Sequence, residues 1–151
     1  MTDSARTIEN LVYHYAELID AGNFPAVAQL FRQACIVAPD GTETCGYEAV
    51  LHMYQHSTRI YPETGTPCTR HISSNVQIEV DDEAGTASSR SYFTVYQALP
   101  DFPLQAIIAG RYVDQFALHE RQWQFSRREM YPELFGDLSG HLLFDADTLK
   151  R

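Results

Sequence analysis

From residue 69 to residue 131 the chain alternates between apolar and polar residues in four long stretches separated by connections of only three to five residues. Such alternation is typical of β-strands, and short links between consecutive strands produce hairpins, so an antiparallel meander is predicted. Strands this long must twist and coil, which lets the sheet wrap around a cavity. The predicted strands span residues 69–80, 86–98, 104–118 and 122–131.

The segment before these strands has helical periodicity instead. A short hairpin around the turn sequence at residues 39–41 separates the second predicted helix from the third. Helices followed by a meander predict an α+β fold with the helices collected on one face of the sheet. The three helices are predicted over residues 5–20, from Asn23 to about Arg32, and from Tyr47 to a point before Pro62.

Length and composition restrict the function classes. The 151 residues are predicted to form one domain, with a core over residues 5–134 and a tail over residues 135–151 that folds over the domain or onto a partner subunit. No apolar run reaches the ~20 residues of a membrane span, and the N-terminus has no signal-peptide core, so a cytoplasmic location is expected. A net charge of −9 argues against nucleic acid binding. Three cysteines without a CxxC pair favour reduced thiols over a disulfide or a zinc site.

His71 and Asp20 are the candidate catalytic pair, because each lies at the end of a regular element and a curved sheet under helices can bring them together. A neutral imidazole is well suited to abstract a proton near neutral pH, and a carboxylate partner fixes its tautomer. Two alternatives remain open. Asp20 can simply be solvated at its helix end, and strict alternation puts His71 on the polar face unless a β-bulge near residues 73–74 shifts the phase.

The candidate substrate-binding residues are aromatic or charged. Tyr96 and Tyr112 lie on neighbouring strands and either line a pocket or pack in the core. Arg127 is in phase with Trp123 and Phe125, so it points toward the core and needs an anionic partner, unless its side chain extends to the surface.

His52 and His56 stand four residues apart on the third helix, a spacing at which two histidines can bind one metal ion. The apolar residues of that helix occupy the other side, so both histidines are expected on the solvated face. No metal or other cofactor is therefore expected.

Residues 5–143 resemble SnoaL-like proteins of the nuclear-transport-factor-two-like superfamily. The resemblance implies a cone, in which a strongly curved sheet is closed on one side by helices over a deep pocket. It rests on the order and spacing of motifs at residues 15–24, 69–71, 75–76, 87–93, 110–114, 123–125 and 127.

The resemblance also implies a function, since related dehydratases and dehydrochlorinases use a histidine base with an aspartate partner at positions that correspond to His71 and Asp20. It implies a cofactor-free lyase or isomerase for a hydrophobic cyclic or aromatic small molecule, in which Arg127 with Tyr15 or Tyr96 binds the departing or enolising oxygen. A homo-oligomer, most simply a dimer, is expected. The alternative is a non-catalytic ligand-binding or assembly domain, because small subunits of aromatic-ring dioxygenases resemble this fold.

Overall fold

The computed structural model describes residues 3–150. Within this range three α-helices cover a curved, open, six-stranded sheet, which confirms the predicted α+β fold. The helices are α1 (Ser4–Asp20), α2 (Phe24–Leu30) and α3 (Gly46–Ser57), followed near the C-terminus by a short 3-10 helix (Ala146–Lys150). The strands are β1 (Cys35–Val37), β2 (Glu43–Cys45), β3 (Thr69–Asp81), β4 (Thr86–Leu99), β5 (Phe102–His119) and β6 (Gln122–Phe135).

The four long strands form the predicted antiparallel meander, and the order across the sheet is β2-β1-β6-β5-β4-β3. The short hairpin of β1 and β2 extends the same sheet, because β1 pairs with β6 in parallel, with Cys35 opposite Arg127. The sequence alone did not predict this parallel pairing. It places β1 beside β6, so that the β1–β2 hairpin extends the meander at that edge.

The end of α1 is fixed against the loop that leads into β3. Gly22 has a positive φ of 70°, and a Cβ atom there would lie 2.7 Å from the carbonyl oxygen of Gly65. Only glycine permits both the left-handed conformation and this close approach. Asp20, the last residue of α1, is therefore held beside the start of β3.

A β-bulge decides which way His71 points. The pairing of β3 with β4 shifts between Ser74 and Gln77, and Asn75 has a positive φ of 53°. Ser74 and Asn75 are consecutive exposed residues, so the alternation changes phase between them. Before the bulge Thr69 and His71 face inward. Of the two alternatives that the sequence left open for His71, the structure has the one with a β-bulge, which lies one position beyond residues 73–74.

A second bulge reverses the prediction for Arg127. The pairing of β5 with β6 shifts so that Gln115 opposes Arg127 but Phe116 opposes Phe125, which leaves Ser126 as the extra residue. Phe125 faces the core, and after the shift Arg128 does so instead of Arg127. The prediction that Arg127 points the same way as the core was therefore wrong.

The prediction of reduced thiols was also wrong for two of the three cysteines. Cys35 and Cys45 are directly opposite each other in the β1–β2 hairpin, with their Cα atoms 4.1 Å apart, and form a disulfide. The tight turn at residues 39–41 brings them face to face, which a search for CxxC spacing does not detect. Cys68 is free. Thiol content therefore no longer supports a cytoplasmic location.

Between residues 3 and 150, no helix combines the length and the apolar character that crossing a membrane requires.

Candidate active site

Asp20 and His71 lie within hydrogen-bonding distance of each other. The Nδ1 atom of His71 lies 2.6 Å from Oδ1 of Asp20, and the two side chains are 9% and 14% exposed. Since Nδ1 faces the carboxylate, Asp20 selects the tautomer with a proton on Nδ1, and Nε2 is left as the basic nitrogen. The geometry is that of a base with its orienting partner.

Asp20 is itself held by two further donors from the start of β3. The backbone N–H of His71 donates to Oδ2 at 2.8 Å, and the Thr69 hydroxyl donates to Oδ1 at 2.9 Å. Three hydrogen bonds thus fix one carboxylate, so its direction relative to the imidazole is preorganised. Thr69 was not identified from the sequence, although its position two residues before His71 puts it on the same face of the strand.

His71 lines an apolar cavity of about 310 Å³ between the helices, the inner face of the sheet and the C-terminal segment. A wider groove of about 490 Å³ along β3, β4, β5 and β6 includes neither His71 nor Asp20, whereas a groove of about 450 Å³ between α1 and β3 is lined by both. Of the two spaces beside His71, the inner cavity has the apolar wall that an organic ligand requires, so it is the candidate site. Its apolar wall includes Ile19, Ile36, Phe93, Val95, Leu138 and Leu142.

Three tyrosines bring hydroxyl groups into the same cavity. The hydroxyls of Tyr15 and Tyr54 are 2.6 Å apart, and the ring of Tyr112 packs edge-on against that of Tyr15. Tyr15 and Tyr112 were predicted as substrate-binding residues, and both line the cavity. Tyr54 was assigned only to the buried side of its helix, because helical spacing does not separate a core tyrosine from a pocket tyrosine.

A fully buried ion pair supports the tyrosines from behind. Arg128 donates to Asp114 through Nε and Nη2, both at 2.8 Å, and its Cζ lies 3.8 Å from the ring centroid of Tyr112 and 4.4 Å from that of Tyr15. The remaining nitrogen, Nη1, has no partner. The sequence did contain a signal for this pair, since Asp114 alternates in phase with apolar residues of β5.

The charges around the tyrosines follow from burial. Burial raises the pKa of Tyr15 and, more strongly, those of Tyr54 and Tyr112, so all three hydroxyls are protonated at neutral pH. Burial opposes the positive charge of Arg128, but the adjacent Asp114 carboxylate outweighs it and the pKa of Arg128 is raised. The cavity wall therefore presents neutral hydroxyl donors backed by a permanent cation.

Two of the predicted substrate-binding residues lie outside the cavity. Tyr96 alternates with Val95 and Gln97, which face inward, so its side chain is on the outer face of β4. Arg127 is 35% exposed and pairs with Glu43 at 2.9 Å and with Glu129 at 3.5 Å. Their predicted contact with a ligand in this cavity was wrong, for reasons of strand phase.

A glycine inside a strand can leave room for a ligand, but at Gly110 in β5 the space is filled. A Cβ atom at this position would lie 2.2 Å from the carbonyl oxygen of Tyr131 and 2.9 Å from the ring of Phe93. Glycine is thus required by packing inside the sheet.

The C-terminal segment supplies one wall of the cavity and a second histidine. Leu138, His141, Leu142, Phe144 and Leu149 all line it. His141 is buried, and its ring centroid is 6.3 Å from that of His71. Nothing in the sequence around residue 141 marks it, because the segment has no periodicity that could orient it.

Metal ligation finds little support in the described part of the chain. Its one cluster of three ligating side chains, Cys35, Glu43 and Cys45, contains the two disulfide-bonded sulfurs. His52 and His56 stack on each other with ring centroids 4.0 Å apart, and Nδ1 of His56 is engaged by the carbonyl oxygen of His52. These contacts satisfy the pair locally.

Comparison with known proteins gives a consistent picture. The profile of the SnoaL-like domain family matches residues 2–129. An NTF2-like protein with a cystatin-like fold from Novosphingobium aromaticivorans is 16% identical, with a TM-score of 0.70 over 83% of this chain and 79% of that one. No curated protein matches the sequence.

Two further structures from the same organism are similar to this chain. A protein proposed to be a scytalone dehydratase is 23% identical, with a TM-score of 0.69 over 88% of this chain and 86% of that one. The beta subunit of a proposed aromatic-ring-hydroxylating dioxygenase is 16% identical, with a TM-score of 0.65 over 87% of this chain and 90% of that one. At these identities the likeness concerns the fold.

Proposed function

Because this chain belongs to the SnoaL-like domain family, we propose that it is a cofactor-free lyase or isomerase acting on a hydrophobic cyclic or aromatic small molecule. The observation that carries the proposal is the 2.6 Å contact between His71 and Asp20 in the wall of an apolar cavity. A histidine hydrogen-bonded to a carboxylate in that position has no packing role that an apolar pair would not fill better.

In the proposed reaction Nε2 of His71 removes a proton from a carbon next to a carbonyl group of the substrate. The C–H bond breaks, the proton goes to His71, and the electron pair moves onto the carbonyl oxygen as an enolate. Asp20 stabilises the imidazolium that forms. Return of the proton to another carbon gives isomerisation. In elimination the enolate re-forms the carbonyl, the bond to the β-hydroxyl breaks, and the imidazolium of His71 gives its proton to the departing oxygen, which leaves as water.

The tyrosine hydroxyls are proposed to bind an oxygen of the substrate. Tyr15 and Tyr112 are protonated donors in an apolar wall, and the cation of Arg128 lies beneath their rings. Donors in such surroundings stabilise developing negative charge more than donors in water do. The arginine of the site is therefore Arg128 and not Arg127, and it acts through the tyrosines instead of binding the oxygen itself. Tyr54 adds a third hydroxyl.

The nature of the cavity supports the proposed substrate class. At about 310 Å³ it is at the lower end of small-molecule sites, and its wall is mainly aliphatic and aromatic. The similarity to a protein proposed to be a scytalone dehydratase agrees with a compact ring system as ligand.

The test is exchange of acidic hydrogens for deuterium in a panel of enolisable cyclic ketones and β-hydroxyketones, β-tetralone first, followed by proton NMR in D2O. Wild-type protein should accelerate the exchange, and His71→Ala should abolish it, because no other group abstracts the proton. The exposed His119→Ala variant is the matched control. Exchange that persists in His71→Ala would refute the mechanism.

The second candidate is a non-catalytic binding or assembly domain, and the outer face of the sheet favours it. Tyr92, Leu104 and Leu134 are exposed there, and a dioxygenase beta subunit is among the similar structures. We propose that this face joins two copies of the chain in a homodimer. Light scattering coupled to gel filtration tests this, with Leu134→Glu expected to give monomers.

A cytoplasmic location stays a prediction, to be tested by cell fractionation.

A further inference from the structure

His141 is a buried histidine whose ring has an unsatisfied polar atom. The residue is 7% exposed, it lines the cavity, and its Nδ1 atom has no hydrogen-bond partner. A buried polar atom without a partner costs free energy in the folded state, and most native proteins avoid it. Because Nδ1 has no accessible surface, a ligand in the cavity meets the ring through its other edge, which carries Nε2.

Hydrogen bonds to the backbone around residue 141 fix the position of the His141 ring beside the cavity. Its N–H donates to the carbonyl oxygen of Leu138 at 3.0 Å, and its own carbonyl oxygen accepts from the N–H of Arg59 at 2.8 Å. The preceding residue, Gly140, accepts a hydrogen bond from the buried side chain of Gln97 at 3.0 Å. These contacts tie the segment to both the loop after α3 and the inner face of β4.

The position of His141 relative to His71 is suited to joint action on one ligand. The ring centroids are 6.3 Å apart and the ring planes are inclined by 63°. The acidic C–H of a ketone and the oxygen of the neighbouring carbonyl group can therefore each meet a different ring, since a hydrogen bond spans about 3 Å.

The His141 ring is neutral, as a hydrogen-bond donor without charge must be. Burial lowers the pKa of His141 to about 4, with a smaller contribution in the same direction from His71. The ring is therefore neutral at physiological pH and carries one N–H group. A neutral imidazole can donate to an enolate oxygen without competing with His71 for the role of base.

We propose that His141 is a further catalytic residue, which donates a hydrogen bond from its neutral ring to the substrate oxygen next to the acidic C–H. This rests on the proposed role of His71. The proton leaves carbon for Nε2 of His71, the electron pair develops on oxygen, and the N–H of His141 binds that oxygen without transferring its proton. His141 thus adds one donor to the tyrosine hydroxyls that are proposed to bind the same oxygen.

The test compares His141→Phe, which removes the N–H, with His141→Gln, which keeps an N–H donor of similar reach. The assay is deuterium exchange into the ketone of the panel that wild-type protein exchanges fastest. His141→Phe should lower kcat by about 10²–10³-fold with KM changed by only a few fold, because charge on oxygen develops in the transition state. His141→Gln should recover a measurable part of the rate.

Thermal unfolding separates this role from a structural one. His141→Phe removes an unsatisfied buried atom, so its melting temperature should equal or exceed that of wild type. Ser89→Ala is the matched control, because the Ser89 hydroxyl is also buried and unpartnered but does not line the cavity. It should leave both the rate and the melting temperature unreduced.

The outcomes that overturn the inference are distinct from those that overturn the proposed function. Wild-type kcat in His141→Phe, or a change confined to KM, would exclude His141 while leaving His71 as the base. A melting temperature that falls in both His141 variants together with the rate would show a structural histidine. If wild-type protein exchanges no ketone, or if His71→Ala retains exchange, the proposed function fails first.

Discussion

Replacing His141 should make the protein more resistant to acid. In the folded protein burial lowers the pKa of His141 from 6.5 to about 4, whereas the unfolded chain keeps the ordinary value. Between these two values the unfolded state binds a proton that the folded state does not bind. Stability therefore decreases as the pH falls through this window, and the group has little effect on stability above it.

The magnitude follows from the size of the shift. A change from 6.5 to about 4 corresponds to about 3 kcal/mol of unfolding free energy once the pH reaches the lower value. About 2 kcal/mol of this should appear between about pH 7 and about pH 5. The ring is 7% exposed, so solvent screens little of the effect.

Urea unfolding of wild type and His141→Phe at about pH 7, 6 and 5 measures the effect directly. The difference between the two proteins should grow in favour of the variant as the pH falls. The exposed His119→Phe variant should instead follow wild type, because its ring is solvated in both states. If His141→Phe and wild type lose stability in parallel, within about 0.5 kcal/mol, the ring is not desolvated and the reasoning is wrong.

Three other features of the structure can be tested by similar means. Asp20→Asn should lower the rate of deuterium exchange by about 10²–10⁴-fold, since an amide cannot stabilise the imidazolium. Thr69→Val should lower the rate by a smaller factor, because it removes one hydrogen bond to Asp20. Equal rates in wild type and in both variants would contradict the role of the His71–Asp20 pair. Asp114→Asn should reduce the free energy of unfolding in urea by about 3–5 kcal/mol, because it leaves Arg128 buried and unpaired. The double variant Asp114→Leu with Arg128→Met should be less destabilised than this single variant. A double variant that is less stable than Asp114→Asn would refute the reasoning. The disulfide joins cysteines 10 positions apart, and its reduction should lower the free energy of unfolding by about 3 kcal/mol. Thiol titration of the folded protein before reduction should find only Cys68. Three titratable thiols would exclude the bond.

Periodicity predicted the elements of this fold well but not the phase of its strands. The four long strands and three helices are present, with differences at their ends, because alternation and helical spacing report burial directly. Phase depends on bulges, and a bulge is a property of two paired strands. The bulge in β3 turns His71 inward, and the one in β6 turns Arg128 inward and Arg127 outward.

Residues outside periodic segments could not be predicted in the same way. His141 lies in a stretch without regular structure. Its position depends on two hydrogen bonds, one from the Arg59 N–H to its own carbonyl oxygen and one from the Gln97 side chain to the carbonyl oxygen of Gly140. The disulfide likewise depends on the register of a short hairpin. Such long-range contacts carry no local sequence pattern, so only the three-dimensional structure reveals them.

The distribution of buried polar groups favours an enzyme over a purely structural domain. An assembly domain would gain stability if its interior were filled with apolar side chains, because each desolvated charge or unsatisfied atom opposes folding. Here the cavity wall carries the His71–Asp20 pair, the ring of His141 and the paired hydroxyls of Tyr15 and Tyr54. Under the proposed function, a ligand with an acidic hydrogen next to a carbonyl group contacts these polar groups, which an apolar filling of the same space would not allow.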